Sequence, residues 1–386
     1  MFIERAVAGG VQKSSKSVLL LGPRQTGKST LIRSIKPDVT INLARETEYL
    51  AFARNPGELE ARLRATNIKT IFIDEVQRIP SLLNTIQAII DEGKSPRFFL
   101  TGSSARKLRR GHANLLPGRI VHFELGPLVA AELKDKINLE QMLRWGSLPG
   151  IWTAENSFER ESVLDTYAAT YVREEIQAES LTRNLEGFSR FLFAAASRAT
   201  RNIDFSKISV EAAIPRTSAI RYFEILEDTL LATRVEAFSK SSVTRIVQHP
   251  RFYFFDNGVL NALLGNYHLS PDRIGFLFEN LLFSQLYYSA KASGKRMRIS
   301  TFRTESGADV DFVCEIDGHL FAIEAKASKN IGQRDLSGLA SFSSFYKKKF
   351  SPIVAYLGDV PKKIDGVEIL PWTKVFEAIG IDGAAQ

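Results

Sequence analysis

Cysteine is almost missing from this sequence: Cys314 is the only one. Without a second thiol no intramolecular disulfide can form, which suits a reducing cytoplasm. Cys314 lies between Val313 and Glu315 in an apolar run, where a small core side chain is expected. Long apolar runs are also lacking, and none approaches the roughly 18–20 residues needed to span a bilayer. The opening segment MFIERAVAGGVQKSSKSVLLLG has too short an apolar stretch for a secretory signal. The expectation is a soluble, cytoplasmic protein with no membrane partner. The five histidines, His112, His122, His249, His268 and His319, show no metal-ligand spacing. There is no internal repeat and no low-complexity segment. What remains is ordinary globular material, 44% hydrophobic and 24% charged over 386 residues, enough for two or three domains.

Charge is in modest excess on the basic side, +8 at neutral pH. Its local form is more informative. Lys107, Arg109 and Arg110 cluster, as do Lys291, Lys295, Arg296 and Arg298, and Lys347, Lys348 and Lys349 run together. Each cluster reads equally as a solvated face or as a contact for a polyanion.

The strongest chemistry lies near the start. Ser17 to Leu21 is short and apolar, suited to a buried parallel strand. Gly22-Pro23-Arg24-Gln25-Thr26-Gly27-Lys28-Ser29 follows and fits GxxxxGK[ST] at every fixed position, with Thr30 opening the next helix. Gly22 and Gly27 permit a tight backbone nest whose N–H groups face phosphate oxygens. Lys28 is expected at the β- and γ-phosphates, Ser29 on Mg2+, and the helix offers its positive end. These residues predict a site for ATP with Mg2+. Lys69 to Ile73 is a second buried strand ending in Asp74 and Glu75: Asp74 is assigned to the metal shell and Glu75 to activation of the attacking water. A third strand, Arg97 to Leu100, ends in Thr101-Gly102-Ser103-Ser104. Ser103 is the candidate for sensing the γ-phosphate or placing the water, while Ser104 reads as a helix N-cap.

GPRQTGKS, IFIDE, LTGSS and LLPGR together resemble the AAA+ ATPases, in order and in spacing. That resemblance implies that Arg119 is an arginine finger completing a neighbouring subunit's site, worth several orders of magnitude in rate. It therefore implies a homo-oligomer, with a hexamer as the form considered. No lid arginine can be assigned.

Beyond Leu128 the pattern turns helical, with Leu164, Tyr167 and Tyr171 on one stripe and the GSLPG run as a turn. Residues 203–238 read as a short helix around Ser206–Ala212, a break at Ile214-Pro215, and a helix around Arg216–Asp228. Ile220, Phe223 and Leu226 are expected to face the core, and Leu230 to Phe238 to supply a wing. In a DNA-reading version Arg216, Thr217 and Arg221 meet phosphates or base edges. In the alternative version this is a packing module, and Glu224, Glu227 and Asp228 on the same helix would repel DNA.

The last third reads αβββαβ. Glu279 lies on its first helix, Asp311 in its second strand, and Glu324 and Lys326 two apart in its third, hence on one face. Asp311 and Glu324 are placed to share a divalent cation, a second Mg2+ or Mn2+, with Lys326 beside the attacking water. The arrangement resembles the restriction-endonuclease-like PD-(D/E)xK nucleases, including archaeal Holliday junction resolvases. A solvated strand face remains the other reading, above all for Glu279 and Asp309. The aromatic run Arg251 to Leu260 reads as a buried strand entering a turn.

Over nearly its whole length, through FIDEVQRIP and SGADVDFVCEIDGHLFAIEAK, the chain resembles a prokaryotic family of predicted ATPases with a C-terminal nuclease-like domain of unknown function. It departs at Ser29, where that family more often has threonine, and at the GSLPG turn. The resemblance implies an α/β plan: a P-loop AAA+ core over 1–130, a helical lid or linker over 131–200, a winged-helix-like segment over 201–245 and a nuclease-like domain over 246–386. Three functions compete on this plan. The first is an oligomeric ATPase motor on DNA, branched DNA such as Holliday junctions included. The second is a nucleotide-controlled protein-binding switch, and the third an ATP-gated, metal-dependent nuclease.

Overall fold

The computed structural model describes residues 3–64, 68–93, 96–103, 118–178, 184–238 and 249–383. Ser104 and the basic residues Lys107, Arg109 and Arg110 lie outside them, as do Leu115 to Pro117 and the side chain of Tyr171. The chain divides into two compact units. One holds residues 2–126 and the short stretch 228–230; the other holds 127–227 and 231–383.

The first unit is built on five parallel strands: β1 (Ser17–Leu21), β2 (Val39–Asn42), β3 (Thr70–Asp74), β4 (Arg97–Gly102) and β5 (Ile120–Glu124). Their order is β2-β3-β4-β1-β5. Parallel strands covered on both faces need apolar residues on both, and the strand alternation divides these cleanly. Leu19, Ile41, Ile71, Ile73, Phe98 and Leu100 pack on one side with the helix Leu82–Asp91. Val18, Leu20, Phe72 and Phe99 pack on the other, against Leu31 and Ile32 of the helix Lys28–Ser34. The sheet thereby brings the carboxyl ends of β1, β3 and β4 to one edge, where α/β folds bind ligands.

The second unit begins with helices, among them Ser157–Ala178, on which Leu164 and Tyr167 are buried as their spacing requires. The GSLPG turn is tied to the buried Asp256, whose carboxylate accepts hydrogen bonds from the N–H groups of Ser147, Gly258 and Val259. A Cβ on Gly146 would lie 2.0 Å from Asp256 Oδ1, so only glycine fits there.

Three further helices, Leu185–Ser197, Phe205–Glu211 and Arg216–Asp228, precede an antiparallel hairpin of β6 (Ala232–Val235) and β7 (Arg251–Phe254). Phe188, Phe191, Tyr222, Phe223 and Phe252 form its aromatic core. Phe223 and Leu226 are buried as expected, but Ile220 is only half-buried. Ala219, Tyr222 and Ile225 take the remaining core positions, because spacings of three and four must mix to follow a helix of 3.6 residues per turn.

The helix Pro271–Ala292 leads into a mixed six-stranded sheet of β8 (Met297–Arg303), β9 (Asp309–Ile316), β10 (His319–Lys326), β11 (Ser351–Tyr356), β12 (Lys362–Ile364) and β13 (Val367–Pro371). The order is β12-β13-β11-β10-β9-β8, and the helix Ser337–Tyr346 connects β10 to its parallel neighbour β11. The expected αβββαβ order is present, extended by β12 and β13 on one edge. Cys314 is fully buried in β9, and burial raises its thiol to about 12, consistent with a core side chain. Among the described residues no helix is long and apolar enough to cross a membrane.

Candidate functional sites

The loop after β1 is strongly shaped. Gln25 and Gly27 have φ values of 63° and 90°, and this change of backbone hand turns successive N–H groups towards one side. A Cβ on Gly22 would meet the Leu125 carbonyl oxygen at 2.1 Å, so the loop packs against the chain following β5 only with glycine there. Thr26 Oγ1 donates to the Pro23 carbonyl at 2.9 Å. The Lys28 ammonium is buried over the loop and donates to the carbonyls of Gly22 (2.9 Å) and Pro23 (2.7 Å). Arg24 and Ser29 are half-buried, and Gln25 and Thr30 are exposed.

Asp74, at the end of β3, is 4% exposed and collects the neighbouring polar groups. Ser29 Oγ donates to its Oδ1 at 2.7 Å, and so does Thr101 Oγ1 at 2.6 Å. Arg33 pairs with Oδ2 at 3.4 Å from a half-exposed position. The hydroxyl and carboxylate assigned to Mg2+ are thus in contact, as two ligands of one ion must be able to be. Glu75 adopts the left-handed conformation, φ 60°, and its N–H donates to Thr101 Oγ1 at 3.2 Å. Its carboxylate accepts hydrogen bonds from Gln77 Nε2 and, at 3.5 Å, from Ser103 Oγ. Gln77 Nε2 also donates to Ser103 Oγ at 3.0 Å. Lys28, Ser29, Asp74, Glu75 and Ser103 therefore converge on one edge of the sheet, and the residues fit a magnesium nucleotide.

Arg119 sits elsewhere. It precedes β5, whose first residue, Ile120, pairs in register with Ser17 at the start of β1. The P-loop begins five strand residues away, about 16 Å at the usual rise. Here Arg119 holds Asp91 through Nε (2.5 Å) and Nη2 (3.1 Å), which keeps the Asp91 carboxyl below its ordinary range.

Three contributors escape the motif reading. Gln77, 7% exposed, bridges Glu75 and Ser103 while its Oε1 has no hydrogen-bond partner. Thr101 is fully buried between Asp74 and Glu75. Arg5 donates to the carbonyls of Thr26 (2.5 Å) and Gly126 (2.8 Å), tying the loop to the segment after β5. For Gln77 the signal was its position three after Asp74. For Arg5 the sequence offers none.

The second constellation lies in the mixed sheet. Glu324 and Lys326 share one face of β10, with Lys326 Nζ donating to Glu324 Oε1 at 2.8 Å. Asp311 of β9 sits alongside, its Oδ2 accepting from the Ala325 N–H at 2.8 Å. Glu279 projects from the helix Pro271–Ala292 and accepts from the Tyr253 hydroxyl at 2.8 Å. The cation that joins them is an arginine. Arg251 of β7, 3% exposed, places Nη1 3.2 Å from Glu279 and 3.4 Å from Asp311, and Nη2 2.8 Å from Asp309.

The protonation of this centre follows from its burial. Four carboxyl groups meet two cations, with Arg251 and Glu324 buried and Asp309 and Lys326 partly exposed. Burial raises Glu279 to about 8, with the charge of Asp311 adding and Arg251 opposing. Burial likewise raises Asp311 and Glu324. Burial also works against the charge of Arg251 and Lys326, but the carboxylates around them outweigh it.

The four residues expected at a nuclease-like site are thus together, yet they do not fit the expected second Mg2+ or Mn2+. The oxygens of Glu279 and Asp311 that would face an ion face the Arg251 guanidinium instead. Among the described residues no group of three His, Cys, Asp or Glu is arranged to hold a metal.

Residues 14–134 match the family model described as an AAA domain. Residues 136–269 and 274–375 match two further models, each described as a domain of unknown function. The chain is 27% identical over 337 residues to uncharacterized proteins of Mycobacterium bovis and Mycobacterium tuberculosis, covering 80% of itself and 70% of each. Among solved structures it is similar at low level to a signal transduction ATPase with numerous domains, carrying a tetratricopeptide repeat sensor, from Pyrococcus horikoshii. That match has 12% identity and a TM-score of 0.28, spanning 75% of this chain and only 45% of that one. A replication initiator DnaA bound to AMPPCP and single-stranded DNA gives 11% identity and a TM-score of 0.27, over 57% of this chain and 86% of that one. Likeness at these scores carries no functional argument. The AAA match over residues 14–134, on a P-loop at the edge of a parallel sheet, supports nucleotide binding by that domain and an ATPase of the AAA type.

Proposed function

We propose that the chain is a Mg2+-dependent, oligomeric ATPase whose turnover is coupled to DNA. The observation that carries the ATPase part is the double contact at the sheet edge: Ser29 on Asp74 beside the loop, and Glu75 held by Ser103 and Gln77. The backbone of residues 22–28 would hold the phosphates with Lys28, and Ser29 and Asp74 would hold the metal. Bound Mg2+ would supply neutralisation of the charge that develops on the transferred phosphoryl group. Glu75, one residue beyond Asp74, would accept a proton from water, with Ser103 and Gln77 setting its direction.

Arg119 lies at the amino end of β5, away from the P-loop of its own chain, so a finger role for it would belong to a neighbouring copy, and homo-oligomerisation follows from that reading. The DNA part rests on the helix Arg216–Asp228, where Arg216, Thr217 and Arg221 are exposed next to a two-stranded hairpin, as in a winged helix. Exposed Glu224 on the same helix weighs against it.

The steady-state ATPase rate with and without duplex and four-way junction DNA tests both parts. Stimulation that weakens with rising salt and disappears in Lys28→Ala supports the proposal. Hydrolysis indifferent to every DNA would remove the DNA part and leave the ATPase. The second reading, a nucleotide-controlled protein-binding switch with a non-cleaving C-terminal module, is favoured by one observation: Arg251 among the carboxylates.

A further inference from the structure

The carboxylate centre of the mixed sheet has the composition of a hard-metal site and the geometry of an ion pair. Oxygen-ligated Mg2+ needs its donors at about 2.0–2.1 Å, converging on one point. Arg251 fills that space. Its Nη1 lies between Glu279 and Asp311, its Nη2 on Asp309, and its Nε donates to Asn202 Oδ1 at 3.1 Å. The guanidinium is almost wholly enclosed, so it is part of the centre and not a surface side chain folded over it. Tyr253, two residues along β7, adds its hydroxyl to Glu279 and stacks on Phe283 at 4.3 Å. The strand that delivers the arginine is therefore anchored to the helix Pro271–Ala292.

One donor is left over. Glu324 is 6% exposed; Lys326 takes its Oε1, and its Oε2 has no hydrogen-bond partner. A buried acceptor without a donor costs free energy that a cation would recover.

We propose that Arg251 is the resident cation of this centre, its guanidinium standing among Glu279, Asp309 and Asp311 where a divalent ion would have to sit. The wild-type chain is accordingly not a metal-dependent nuclease at this position. Arg251 is carried by β7, which pairs with β6 in the hairpin, so the closed state depends on where that hairpin holds its strand.

Titration of the full, nucleotide-free chain with Mn2+, counting bound ion by electron paramagnetic resonance, decides the matter. Sites are attributed to the centre only if Asp311→Asn removes them, so ions held at the P-loop do not enter. Wild type and Asp311→Asn should bind the same number of ions. A wild-type ion that disappears in Asp311→Asn or Glu324→Gln would overturn the proposal, as would Mn2+-dependent DNA cleavage by wild type that Glu324→Gln abolishes.

Discussion

The two polar centres of this molecule use the same side chains to opposite ends. At the edge of the parallel sheet the cation Lys28 rests on the neutral carbonyls of Gly22 and Pro23, and hydroxyls from Ser29 and Thr101 meet Asp74. In the mixed sheet the cations Arg251 and Lys326 are bound directly to carboxylates. An ammonium on carbonyls gives up little when a phosphate arrives, because it exchanges dipoles for a full negative charge. A guanidinium on buried carboxylates gives up a great deal when anything displaces it, because it leaves several charges unpaired in low dielectric. The first arrangement presents hydroxyls and loop carbonyls that a ligand can replace, and the second pairs its cations with its own carboxylates. Residue type alone does not make a site; what the charges are already paired with does.

The comparison can be broken or sharpened by substitution. The largest effect should come from Arg119→Ala, which should cost on the order of a thousandfold or more in steady-state hydrolysis with nucleotide affinity retained. Mixing Arg119→Ala with Lys28→Ala protein should recover part of that rate, since a finger acts across subunits. No recovery, or no loss, would assign Arg119 to its pairing with Asp91. Lys28→Ala should lower hydrolysis on the order of a hundred- to a thousandfold with little change in unfolding midpoint.

Arg251→Ala should do the reverse. Removing one partner of a buried ion pair costs about 3–5 kcal/mol in denaturant unfolding, while the effect on hydrolysis should be slight. A loss under about 1 kcal/mol would mean that the centre is more hydrated than its burial indicates. The pH dependence should be smaller. Glu279 is raised to about 8 by burial, so between its ordinary value and 8 the folded chain holds a proton that the unfolded chain has released. Stability is thus greatest on the acid side and falls as pH rises through that window, by at most about 1.4 kcal/mol per pH unit for one proton. Glu279→Gln should flatten this slope. An unchanged slope would place the extra proton on Asp311 or Glu324. The smallest effect should be Arg33→Ala, whose half-exposed pair with Asp74 contributes no more than about 1 kcal/mol.

How much of this was legible beforehand depends on whether the chemistry is local. The nucleotide loop is contiguous, its glycines answer to backbone geometry within eight residues, and the strand endings at Asp74 and Ser103 carry their own periodicity. Glu324 and Lys326 were legible as neighbours for the same reason, since alternation on a strand fixes the face. Ile220 was misplaced because a threefold spacing drifts around a helix.

What the sequence by itself determined was the P-loop, the acidic strand end, the alternation of buried strands and helices, and the gathering of Glu279, Asp311, Glu324 and Lys326 in one region. What only the tertiary structure decided was the state of those groups. Arg251 reaches Asp311 across 60 residues of chain, and Arg5 reaches Gly126 across 121. No spacing rule connects such pairs, because strand pairing and helix packing set their separation. The charge a buried carboxylate carries is therefore settled by neighbours that are distant in sequence.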